Sequence, residues 1–157
     1  MAARVTNIGL ERTKSMQIGD IMTPFIRSMY HEASLVQTAM HMKMHDIRSV
    51  YIVDRNRIRG MITDRDIVLD AVSAGLNAMS TRIGQVTCRE PVSCRTDDTV
   101  NDAVLIMEEN NTRRLLVLEP DGKPAGVVSI GDIATRIDNK SLAGRLLASL
   151  STSQKLP

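Results

Sequence analysis

The sequence predicts a mixed α/β fold, of the α+β kind, in which two tandem β-α-β-β-α repeats pack as a pseudo-twofold pair. Three observations carry that expectation. The chain first matches itself at an offset of 65, pairing Ile18-Gly19 with Ile83-Gly84, Ser28 with Ser93, Met42 with Met107 and Arg48 with Arg113. One extra residue in "EPDGKPAG" relative to "DRNRIRG" then moves the offset to 66. From there Gly60, Thr63, Asp66 and Ile67 match Gly126, Ser129, Asp132 and Ile133. Finally, both copies pass from extended to helical to extended apolar spacing in the same order.

Each element can be justified in turn. "FIRSM" and "PVSC" follow turns and read as short extended pieces. "SLVQTAMHMKMHD" and "TVNDAVLIMEENN" read as helices, the second placing Val100, Ala103, Val104 and Met107 on one face. Ser34 with Gln37 has capping-box spacing, and Thr99 with Asp102 is its acidic version. "RSVYIVD" and "RRLLVLE" are β-branched or aliphatic strands, each followed by a hairpin loop and a returning strand, "RGMIT" or "AGVVS". A last helix begins near Thr63 in one copy and Ser129 in the other. The expected layout is an N-terminal extension at 1–17, repeats at 18–75 and 83–138, and a tail at 139–157. Leu142, Leu146 and Leu150 could form one stripe of a short helix in that tail. A single repeat of about 55 residues buries little apolar area alone, which favours two packed together.

Composition narrows the functional classes. The chain has 157 residues, with 43% hydrophobic, 24% charged and 2% aromatic, so the core must be aliphatic. Ten methionines make part of it adaptable. Twenty basic and 18 acidic residues give a net charge of +2, too balanced for an electrostatic nucleic-acid binder, and stacking aromatics are scarce. No apolar run approaches the roughly 18 to 20 residues that span a bilayer, and "MAARVTNIGLERTKS" lacks the apolar core of a signal peptide. Cys88 and Cys94 match no CxxC redox or zinc pattern. A reduced, cytoplasmic location is expected.

The repeated Gly-apolar-apolar-hydroxyl-x-x-Asp motif has two readings that coexist. Thr63-x-x-Asp66 and Ser129-x-x-Asp132 have the spacing of helix N-caps, which any strand-to-helix junction can select. Their recurrence at equivalent points also suits two related clefts. An aspartate at a helix start can accept from hydroxyl groups, and a helix N-terminus favours an anion.

These residues resemble the cystathionine-β-synthase (CBS) domain, and the two copies together resemble one CBS pair, or Bateman module, over about residues 16 to 138. The resemblance rests on "IGDIMT", "HDIRSVYIVD" and "GMITDRDI" in the first copy, and on "IGQVTCREPVSC", "NNTRRLLVLE" and "GVVSIGDI" in the second. Two departures stand out: "VTC" replaces the usual Met-Thr, and Tyr51 and Leu116 occupy the place of a common proline. The resemblance implies a regulatory module for adenosyl ligands (AMP, ADP, ATP, S-adenosylmethionine or NAD) that signals by conformational change. It implies ribose contacts from Thr63 and Asp66 in one cleft and from Ser129 and Asp132 in the other. Ile26 and Pro91 would flank adenine. Ser28, Arg48, Asp64, Arg65, Ser93, Arg113 and Arg114 complete the candidate set. Arg65 could face a phosphate, whereas its counterpart is Gly131, so the clefts should differ.

The remaining features have plainer readings. His41 and His45 stand at i, i+4 but lack a third ligand of matching address, so no metal is expected. Met40, Met42 and Met44 are too many for one helix face and imply core plus contact surface. Cys94 alternates within a strand as a small core residue, and Cys88 lies in a loop with nothing beside it to lower its pKa. Arg55, Arg57 and Arg59 read as a solvated hairpin connection. No nucleophile–base pair, catalytic carboxylate pair or P-loop is present, so neither enzymatic activity nor an obligatory cofactor is expected. The expected partners are an adenosyl small molecule, a second copy in a homodimer and an unidentified effector protein, with no membrane. The alternative is a dimeric interaction scaffold with no ligand.

Overall fold

The structure is a computed structural model that describes residues 16–86, 89–136, 144 and 148. In chain order the elements are α1 (Ile18–Ile21), β1 (Ser28–Tyr30), α2 (Leu35–His45), β2 (Ser49–Asp54) and β3 (Arg57–Thr63). The short α3 (Asp64–Asp66) follows and widens into a π turn (Ile67–Val72), and then comes a 3-10 turn (Ile83–Gln85). The second copy supplies β4 (Ser93–Arg95), α4 (Val100–Glu109), β5 (Arg114–Leu118), β6 (Pro124–Ser129) and α5 (Ile130–Arg136). The β-α-β-β-α order therefore occurs twice, in a mixed α+β fold with two three-stranded sheets. Leu142, Leu146, Leu150 and Cys88 lie outside the described residues.

The chain divides into two compact units, one of Ile26–Pro91 and one of Met1–Phe25 with Val92–Pro157. In the first, β1 lies parallel to β2 with Ser28 opposite Tyr51, and β3 returns antiparallel with Ser49 opposite Thr63. Its hairpin turns on Arg55 and Asn56, both at positive φ (47° and 61°), the twist that a two-residue connection requires. Helix α2 starts on the capping box of Ser34 and Gln37 and stops at Asp46, which is left-handed at φ 50°. Leu35 and Met42 from α2 meet Val50, Ile52 and Ile62 from the sheet, with Ala71 and Ile83 closing the core.

The second unit repeats the plan. β4 lies parallel to β5 with Ser93 opposite Leu116, and β6 returns antiparallel. The longer hairpin places Gly122 at φ 84°. As its spacing predicts, α4 buries Val100, Ala103, Val104 and Met107. They pack on Leu115, Val117 and Val128, with Ile18, Ile21, Ile130 and Ile133 completing an aliphatic core. Tyr51 and Leu116 use the amide that a proline would lack: Tyr51 N donates to the Arg27 carbonyl at 2.8 Å and Leu116 N to that of Val92 at 2.9 Å.

The compact units cut the chain differently from the sequence repeats. Ile18 N donates to Asp98 O and Gly19 N to Thr96 O, both at 2.9 Å, so α1 docks on the unit that holds the second repeat. Thr23 then pairs with Val127 along the free edge of β6. Symmetrically, Ile83 N donates to Ala33 O at 2.8 Å, Gly84 N to His31 O at 3.0 Å and Met61 N to Arg89 O at 3.0 Å. In each unit one edge strand, β3 or β6, is thus bridged at one residue by a segment that precedes the other repeat, which shields part of that edge. The matched Ile-Gly pairs gain a reason here: isoleucine fills each core, and glycine permits close backbone approach.

Candidate functional site

The site residues are positioned by the junction of β3 with α3. Thr63 ends the strand in an extended conformation, and its hydroxyl accepts from Asp66 N at 3.1 Å. Asp66 reciprocates through one oxygen. Its Oδ2 accepts from Thr63 N at 2.8 Å and from the Thr63 hydroxyl at 2.7 Å. Asp66 is buried, at 6% exposure, yet Oδ1 has no hydrogen-bond donor among the described residues. The nearest cation to Oδ1 is the Arg89 guanidinium at 3.9 Å, beyond hydrogen-bond range. One carboxylate oxygen therefore builds the helix start, and the other remains an acceptor.

The junction of β6 with α5 repeats this chemistry. Asp132 Oδ2 accepts from Ser129 N at 2.8 Å and from the Ser129 hydroxyl at 2.6 Å, while Asp132 N donates to Ser129 Oγ at 3.2 Å. A third box has the same geometry: Asp102 Oδ2 accepts from Thr99 N at 3.0 Å and from its hydroxyl at 2.6 Å. The Thr99 hydroxyl, followed by its amide, holds the Asp102 carboxyl below its ordinary pKa, outweighing a small desolvation effect. Asp102 is exposed on a helix with no matching cleft role. Capping geometry alone thus marks no binding site. Burial distinguishes Asp66, and Arg89 adds a charge opposite it.

The remaining candidates fall into place around these junctions. Arg48 and Arg113 occupy equivalent positions, their carbonyls accepting from Asp64 N at 3.0 Å and Ile130 N at 3.1 Å. Arg48 also faces Asp64 at 4.0 Å as an exposed ion pair. Arg65 is exposed beside the cap, and its amide donates to Asp64 Oδ1 at 2.8 Å. All three amides of α3 are therefore already bonded, so charge recognition here falls to side chains rather than to the helix start. Arg114 lies opposite Ser129 in the β5–β6 ladder. Ile26 and Pro91 are half-buried, whereas Ser28 and Ser93 are exposed at the starts of β1 and β4. Arg89 escaped the motif reading because it stands outside both motifs. The available signal was a charge two residues before Pro91.

His41 and His45 stack with ring centroids 4.4 Å apart, tilted by 58°. Burial first, then the charges of His45 and Arg27, lower the His41 pKa. No group of three metal-ligating side chains occurs among the described residues.

Two parallel-then-antiparallel sheets, each closed by a capped helix start, define a tandem-repeat module. The family model for the CBS domain matches residues 18–71 and 83–139, and the chain belongs to that family. It is 28% identical over 134 residues to the CBS domain-containing protein YhcV of Bacillus subtilis, covering 85% of this chain and 94% of that protein. The fold matches the CBS domain protein TA0289 of Thermoplasma acidophilum with TM-score 0.75 at 19% identity, covering 87% of this chain and 77% of that one. It matches Hypoxic Response Protein I, solved with two coordinated zinc ions, with TM-score 0.67 at 29% identity over 76% of this chain and 98% of that one; the relative of that name is from Mycobacterium tuberculosis. Two further neighbours were solved with adenosyl ligands. The CBS domain pair of MJ0100, in complex with 5′-methylthioadenosine and S-adenosyl-L-methionine, matches with TM-score 0.65 at 21% identity, over 76% of this chain and 98% of that one. The cytosolic domain of the Mg2+ channel MgtE, in complex with ATP, matches with TM-score 0.63 at 20% identity, over 82% of this chain and 51% of that one. No helix among the described residues is long and apolar enough to cross a membrane.

Proposed function

We propose that this protein is a regulatory, non-catalytic module that binds an adenosyl ligand and transmits its occupancy to a partner. The observation that carries the reading is Asp66, a carboxylate at 6% exposure whose Oδ2 closes the cap while Oδ1 makes no hydrogen bond among the described residues. Oδ1 is left free to accept, and a ribose diol supplies donors for a charge-assisted hydrogen bond there. Asp132 offers the same acceptor in the second copy. The adenosyl complexes of MJ0100 and MgtE support the ligand class. Ile26 and Pro91 would flank the base, with the arginines near each junction facing any phosphate. Binding would shift the balance between conformations by its differential affinity for them. The output runs through a homodimer and an effector protein.

A thermal-shift panel tests this with AMP, ADP, ATP, S-adenosylmethionine and NAD on wild type, Asp66→Ala and Asp132→Ala. A ligand at 100 times its Kd adds about 2.7 kcal/mol, several degrees in Tm. The expected result is a shift that one variant abolishes. No shift with any of the five on folded protein overturns the reading.

A second reading, a dimeric scaffold with no ligand, draws on the exposed apolar side chains of the Ile26–Pro91 unit. Met44 is 75%, Met79 74% and Val72 64% exposed there, and apolar side chains of this kind serve as contact surface where they gather in one patch. Sedimentation of wild type against Met44→Lys/Val72→Lys separates dimer formation from ligand response.

A further inference from the structure

We infer that Arg89 is a specificity residue of the first cleft, sitting on Asp66 when the cleft is empty and favouring adenosyl ligands that carry a phosphate over uncharged ones. The inference rests on the proposed ribose contact of Asp66 and deepens it by assigning a ligand charge. Arg89 has a fixed root and a free tip. Its carbonyl accepts from Met61 N at 3.0 Å, which ties its backbone to the edge of β3. Its side chain is 77% exposed, and the guanidinium reaches Asp66 Oδ1 only at 3.9 Å. Such a pair is weak and easily exchanged.

A ribose diol donating to Oδ1 would displace the guanidinium from its counter-charge. An uncharged nucleoside offers nothing in return, so Arg89 is left without its counter-charge. A 5′-phosphate on the same ribose gives the released guanidinium an anion that its fork fits. The exchange is therefore favourable for nucleotides and unfavourable for nucleosides. The second copy lacks both parts of this device. Thr23, paired with Val127, occupies the position that Arg89 holds opposite Met61, and Gly131 replaces Arg65.

The test is calorimetric titration of adenosine, AMP and ATP into the full chain carrying Asp132→Ala, with and without Arg89→Gln or Arg89→Lys. Because Arg89 is exposed, Arg89→Gln is expected to fold normally, which its Tm checks. In the Arg89→Gln protein the AMP-over-adenosine preference is expected to fall about tenfold, with adenosine binding unchanged or tighter. Arg89→Lys, which keeps the charge, should retain much of the preference. If AMP and adenosine bind but Arg89→Gln leaves their ratio within twofold, the inference falls and the ribose site stands. If no adenosyl compound binds the Asp132→Ala protein, while Asp66→Ala still binds one, the first cleft is empty and the inference falls alone. If neither protein binds any, both readings fall.

Discussion

The carbonyl oxygen of Thr23 stands against the α-carbon of Gly126, closer than any side chain at that position would allow. Two hydrogen bonds fix the approach: Thr23 N to Val127 O at 2.8 Å and Val127 N to Thr23 O at 2.9 Å. A Cβ at 126 would also meet Met22 Sδ at 3.2 Å and Pro24 Cα at 3.2 Å. The obstacle is mostly backbone, which cannot rotate away. Gly126→Ala should therefore cost about 1–3 kcal/mol by overpacking and loosen the 16–25 segment from its unit. Gly131 is the control, because a Cβ there meets only Ser129 Oγ at 3.5 Å. Gly131→Ala, inside α5, should be neutral or stabilising by up to about 1 kcal/mol. Urea unfolding of both variants checks the contrast, and equal costs would refute it.

The three hydroxyl–aspartate boxes allow capping to be separated from binding. Thr99→Ala removes a cap from an exposed helix start and should cost about 1 kcal/mol. Asp66→Ala removes two hydrogen bonds at a buried position and leaves Thr63 N unpaired, so about 1–3 kcal/mol is expected. Only the Asp66 variant should also lose its ligand shift. A Thr99→Ala protein that lost ligand binding would tie that response to general stability instead.

Asp102 makes a pH-dependent version of the same test. Its folded-state pKa lies below the ordinary value of 3.8 because the Thr99 hydroxyl and amide favour the carboxylate. The unfolded chain therefore binds the proton first as the pH drops, and stability falls with it. The contribution is complete well above pH 3.8 and is lost as the pH falls through the depressed folded value. Wild type should exceed Asp102→Asn in urea stability at pH 7, and the gap should close in acid. A gap that stayed constant between pH 7 and pH 2.5 would contradict this.

Met107 and Met44 give opposite expectations from one residue type. Met107 is fully buried in the second unit's core, whereas Met44 is 75% exposed. Met107→Ala should cost about 2–5 kcal/mol by leaving a cavity, and Met44→Ala less than about 0.5 kcal/mol. Denaturant midpoints decide it.

Much of this was legible because the determining interactions are local. Thr63, Ser129, Ser34 and Thr99 cap their helices as three-residue spacing implies, and the apolar stripe of α4 is the buried one. Burial divides the methionines of α2, with Met42 inside and Met40 and Met44 exposed. The docking of α1 and of the 3-10 turn was not legible. It is made by backbone amides and carbonyls, which carry no side-chain signature, and only Gly19 and Gly84 mark the close approach. The π turn after Asp66 was equally hidden: Ser73 N reaches Val68 O and Leu76 N reaches Ala71 O, a widened pitch that "IVLDAVSAGL" does not announce. Arg89 was missed because its nearness to Asp66 depends on the strand bridge to Met61, a contact between segments remote in sequence.

Cys94 should be chemically silent until the protein opens. Its side chain belongs to the second unit's core, where burial first, and then the charge of Asp98, push the thiol up to about 12. Compared with an ordinary thiol of 9.0, that lowers the thiolate fraction at pH 8 about a thousandfold. In a Cys88→Ser protein, alkylation by iodoacetamide at pH 8 should therefore be limited by unfolding, slow in buffer and accelerating through the urea transition. The same displacement fixes a sign in alkali. The unfolded thiol ionises from pH 9.0 upward while the folded one stays protonated, so the folded state binds more protons and stability declines as pH rises. Cys94→Ala, with a shallow cavity and no titrating group, should start less stable at pH 8 and lose less on going to pH 10. Rapid alkylation of native protein, or parallel pH profiles for the two proteins, would remove Cys94 from the core.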